Sequence, residues 1–120
     1  MAAVHSILGW VVIWWCAAVG LWGVGSAVAR RDVGSFFALG TILGLFLGVV
    51  EVVLGVWMLA GGSDPGSFHV FYGAVVVSMV AFAYIYRAQL AVSPGLRWGL
   101  LLLFVAGLGL RGVQTFGASL

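Results

Sequence analysis

The sequence predicts an all-α integral membrane protein, a four-helix bundle with short loops and both termini on the outer side. Three observations predict it. Of 120 residues, 64% are hydrophobic and 7% charged, too little charge to keep a water-soluble domain of this size in solution. Apolar runs of span length recur over about residues 4–29, 36–60, 68–86 and 95–116, each long enough for a hydrocarbon core of about 30 Å. The cations gather at alternate turns: Arg30, Arg31, Arg87 and Arg97 flank two loops, whereas the Gly61–Ser67 loop carries only Asp64.

These spans make residues 1–120 a single transmembrane domain with no length left for a soluble one. The net charge of +2 belongs to arginines beside the spans, so it reports topology and excludes nucleic acid as a partner. The positive-inside rule puts the arginine loops in the cytoplasm. Both termini and the Gly61–Ser67 loop then face outward, in the inner membrane if the cell is bacterial.

The first span carries Trp10, Trp14, Trp15 and Trp22 and ends at Arg30, Arg31 and Asp32. Its tryptophans form broad patches suited to lipid, an interface or a flat ligand. Cys16, the single cysteine, lies mid-span as a small buried hydrophobe, and its surroundings lack a lipoprotein processing signature. No basic segment precedes the span, and the run is too long for a signal peptide, so it is expected to be retained. The second span, about 36–60, is stopped by Gly61-Gly62-Ser63-Asp64-Pro65-Gly66-Ser67, a tight-turn composition that makes Ser67 the expected N-cap of the third. The third opens with Phe68-His69 and closes on Tyr84, Tyr86 and Arg87. Residues 88–94 form a turn. The fourth begins near Gly95 with Arg97 and Trp98 and carries Arg111 inside it.

Glu51 is the organising residue. It sits about nine residues, roughly 13 Å, from the outer end of its helix, on the face shared by Gly44, Gly48 and Gly55, where a neighbouring helix can approach closely. An ionisable group at that depth is expensive unless paired, protonated or hydrated, and marks a candidate functional site. Arg111, on the outer part of the fourth span with Gln114 and Thr115 on its face, is the expected partner, unless it snorkels to the headgroups. His5 and His69 open spans one and three at that same outer end. Two histidines from different helices are candidate heme iron ligands, with Arg111 beside a propionate, the tryptophans against the macrocycle, and Tyr72, one turn after His69, as a hydrogen-bond donor. Gly40, Gly44 and Gly48 form a small-residue stripe for close packing or for a partner chain, and Gly107, Gly109 and Gly112 suggest similar thinning of the fourth span. No phosphate loop, nucleophile elbow or paired metal-ligand helix motif is present, so no catalytic activity of its own is expected.

The segment Glu51-Val52-Val53-Leu54-Gly55-Val56-Trp57, a short loop and then Phe68-His69 resemble the centre of one half-bundle of heme A synthase and of related small four-helix b-type membrane cytochromes. The resemblance implies His69 as a heme ligand. In length, span number, glycine stripes and a single membrane glutamate the chain is also similar to small multidrug-resistance transporters, where the glutamate lies in the first span. The leading expectation is a respiratory-type membrane protein that carries heme b or serves as an accessory subunit of a heme-containing complex. A small proton-coupled transporter using Glu51, lined by Trp57 and Tyr72, is the first alternative. A structural subunit that packs on a larger complex, or on a second copy, through the glycine stripe or tryptophan faces is the other.

Overall fold

A computed structural model of the chain describes residues 1–119. Among these residues the chain is helical, with no strand. It comprises α1 (Ala2–Val28), α2 (Gly34–Ala60), α3 (Ser67–Ile85), α4 (Arg87–Leu90) and α5 (Pro94–Gln114). The four long helices, α1, α2, α3 and α5, are each long and apolar enough to cross a membrane. Their ends fall within a few residues of the expected spans. Continuous apolar composition stabilises each helix locally, and Gly-, Ser- and Pro-rich turns end it.

Two local details differ from expectation. The turn after α3 contains a single helical turn, α4, because Tyr86 O accepts from Leu90 N (3.0 Å) and Leu90 packs into the core. Pro94 then starts α5 at its first turn, where a missing N–H costs nothing. The N-cap of α3 is Gly66 rather than Ser67, with φ of 90°. A side chain at Gly66 would run into the backbone of Gly117 and Ala118.

The densest packing joins α1 to α5, through glycines that the sequence reading did not single out. A Cβ on Gly23 would lie 2.5 Å from Gly95 O, and one on Gly99 would lie 2.9 Å from Gly20 O. Backbones meet directly there, the arrangement small residues permit between apolar helices. Around this seam Cys16, Leu102 and Val105 are fully enclosed.

α2 lies against α1 along the Gly40, Gly44 and Gly48 stripe. Gly40 faces Val19, Gly44 faces Trp15 and Cys16, and Gly48 faces Val12 and Val76. Trp15 donates its indole N–H to Gly40 O at 2.8 Å. The stripe, expected to serve close packing or a partner chain, packs on α1, which offers a thick apolar face to a thin one. In α5 the expected thinning holds at Gly109, under Ile13, whereas Gly107 meets nothing within 4 Å. Trp14 and Trp57 stay exposed, and Trp22 stands edge-on to Phe37.

α3 leans on α5 and touches α2 little. The C-terminal residues fold over this corner: Gly117 N donates to Pro65 O (2.7 Å) and Phe68 N to Ala118 O (3.3 Å). His5, Glu51 and His69 lie at the same end.

Candidate functional site

The site grows from two turns of helix that clear space for each other. In α1, His5 is followed one turn later by Gly9; in α2, Glu51 is followed one turn later by Gly55. A Cβ on Gly9 would stand 3.0 Å from Glu51 Oε1, and a Cβ on Gly55 would stand 3.1 Å from His5 Cε1. Each glycine makes room for the head group of the other helix. The result is a contact of 2.7 Å between His5 Nδ1 and Glu51 Oε1, with the two side chains 19% and 16% exposed. The second carboxylate oxygen, Oε2, has no hydrogen-bond partner among the described residues.

His69, in the first turn of α3, reaches α5. Its Nδ1 lies 2.8 Å from Gly112 O. A carbonyl only accepts, so His69 donates from Nδ1, and its Nε2 carries the lone pair when the ring is neutral. Glu51 Oε1 stands close to His5 Nδ1 without hydrogen-bond alignment, and His5 Nδ1 has no hydrogen-bond partner among the described residues. His69 thus has its Nδ1 held by a carbonyl, the arrangement that orients histidine to ligate a metal through Nε2, whereas His5 has only a carboxylate oxygen nearby. The ring centroids are 6.0 Å apart at an interplanar angle of 74°. Phe116 packs edge-on against His69 at 5.4 Å.

These groups face a cavity of about 550 Å³ lined by residues of α1, α2, α3 and α5, among them Gly48, Tyr72, Val76 and Val105, together with Phe116 and with Ser63, Asp64 and Pro65 of the α2–α3 loop. Its walls are mostly apolar, with His5, Glu51, His69 and Tyr72 as polar entrants and Ser63 and Asp64 among the lining. A cavity of this size, with a few convergent polar groups, has the build of a small-molecule or cofactor site.

Several expected participants lie elsewhere. Arg111 does not pair with Glu51: it is exposed, donates from Nη1 to Gln114 Oε1 (3.1 Å) and lies over the Tyr72 ring at 5.9 Å. The rotation of α5 that seats Gly109 and Gly112 in the bundle turns position 111 outward, and Arg111 is absent from the cavity wall. Thr115 Oγ1 donates back to Arg111 O (2.6 Å). None of the tryptophans lines the cavity, Trp57 included, whereas Tyr72 does. Gly112 O and Phe116, which hold His69, were missed in the sequence. Their only signal was position on the last turns of α5, level with the start of α3.

No protein-family model, curated protein or solved structure matches this chain.

Proposed function

We propose that this chain is a multi-pass integral membrane protein, in the inner membrane of a bacterial cell with both termini outside, that carries heme b between His5 and His69. It serves as an electron-transfer half-bundle or as the heme-bearing accessory subunit of a respiratory complex. One observation carries the reading. Two histidines from different helices, each with an oxygen within 2.8 Å of Nδ1, stand 6.0 Å apart at the wall of one largely apolar cavity. Two imidazole nitrogens bound to a shared metal ion at about 2 Å each leave their ring centres roughly 6 Å apart. That spacing supports the reading.

Bound there, heme b supplies one-electron redox chemistry. The chain's own residues do the rest. Glu51 and Gly112 O orient the two rings, Tyr72 offers a hydroxyl at the wall, and the apolar lining excludes water.

The test is a visible spectrum of protein expressed with ample heme, oxidised and then reduced with dithionite. A sharp reduced α-band that is lost in both His69→Ala and His5→Ala is the expected result. A colourless, well-folded wild-type protein, or a band unchanged in His69→Ala, refutes the proposal.

A second reading, proton-coupled transport, draws on the Glu51 Oε2 that lacks a hydrogen-bond partner at the cavity wall. Glu51→Gln separates the two: transport collapses if the carboxyl carries the proton, whereas a heme spectrum survives.

A further inference from the structure

At the end of the bundle opposite the histidines, a second cleft of about 320 Å³ lies between the start of α2 and the start of α5. Its lining includes Phe37, Thr41, Ile42, Leu45, Pro94 and Trp98. Thr41 is the anomaly. It is 4% exposed, and its Oγ1 has no hydrogen-bond partner among the described residues. A helical hydroxyl has an easy alternative, the carbonyl one turn back, and Ser78 takes it by donating to Ala74 O at 2.9 Å. Thr41 forgoes that bond in apolar surroundings, where an unmet hydroxyl costs roughly 1–3 kcal/mol.

The rim of the cleft is formed by helix starts. Two long helices begin there, at Gly34 and Pro94, and neither has a side-chain cap or an acidic residue in its first turn. Their first-turn N–H groups form two positive poles, a setting that favours an anion. Arg30 and Arg31, both exposed, lie just before Asp32 and the lining residue Val33, and Asp32 is the one acid of that loop.

We propose that this cleft binds one anionic phospholipid. The phosphodiester lies at the two helix starts beside Arg30 and Arg31, one acyl chain runs along Ile42 and Leu45, and an ester carbonyl accepts from the Thr41 hydroxyl. The proposal rests on the membrane part of the reading above and is independent of heme.

The experiment is a native mass-spectrometry titration of detergent-purified, delipidated protein with phosphatidylglycerol, its ether-linked analogue and phosphatidylcholine. Phosphatidylglycerol is expected to bind about tenfold more tightly than phosphatidylcholine, a preference that Arg30→Gln/Arg31→Gln abolishes. Thr41→Val in the protein, or the ether linkage in the lipid with wild-type protein, weakens binding about three- to tenfold, and the two losses do not add. Equal affinity for the two headgroups overturns the proposal, as does indifference to both the ether linkage and Thr41→Val. Flotation with phosphatidylglycerol vesicles separates the underlying reading, because a protein that fails to float is no membrane protein, whatever its cleft binds.

Discussion

Gly23 and Gly25 lie half a turn apart in α1, and replacing each by alanine should move stability in opposite directions. At Gly23 the new methyl carbon would sit 2.5 Å from Gly95 O and 2.7 and 2.8 Å from the Phe37 ring carbons Cε1 and Cζ. Normal contact starts near 3.4 Å, so α1 and α5 must separate by most of an ångström. Gly95 O belongs to backbone and cannot swing aside, and Phe37, 2% exposed, has nowhere to turn. Overpacking of this kind costs about 1–3 kcal/mol. Both variants recover the helix preference of alanine over glycine, about 0.5–1 kcal/mol. At Gly25 nothing lies within 4 Å, so only that gain remains. The difference between the two variants therefore isolates the close approach, at about 1–3 kcal/mol. Reversible unfolding in mixed detergent micelles, followed by circular dichroism, measures it. Gly95→Ala added to Gly23→Ala should cost less than it does alone, since the seam has already opened. If Gly23→Ala proves as stable as Gly25→Ala, the α1–α5 seam is not where the backbones meet.

Three further outcomes are expected. Trp15→Phe removes the indole donor to Gly40 O and should destabilise by about 0.5–1.5 kcal/mol in the same unfolding assay, with no change in a Trp14→Phe control, whose side chain is exposed. Gly66→Ala forces a side chain into a backbone conformation reserved for glycine, costing about 1–3 kcal/mol. It should release the C-terminal strap, read as faster hydrogen exchange at the Gly117 amide that now donates to Pro65 O. Gly9→Ala places its methyl group against Glu51 Oε1 and should drive the carboxylate off His5 Nδ1. The His5 ring resonances in a nitrogen-labelled sample then shift, while those of His69, held by Gly112 O, stay in place.

The amino-acid sequence by itself determined the helices. Each apolar run of span length must close its own backbone hydrogen bonds, and the Arg30-Arg31-Asp32 and Gly61–Ser67 breaks stop it wherever its neighbours lie. Alternating direction then brings His5, Glu51 and His69 to one end, and this needs only helix rise and short loops. Glycine at 44, 48 and 55 likewise marked the face of α2 that another helix would cover. Tertiary structure alone decided who meets whom. Glu51 takes His5, from a helix 46 positions earlier, and not Arg111, because α5 rotates to seat its glycines in the bundle and carries position 111 outward. Gly112 O became the acceptor for His69, and the glycines at 20, 23, 95 and 99 became the tightest seam, although nothing in their local sequence ranks them above Gly107, which touches nothing. The physical reason is common to all of these. A helix forms from interactions within a few residues of itself, whereas its rotation about its own axis is set by which small residues find a thick partner across the gap.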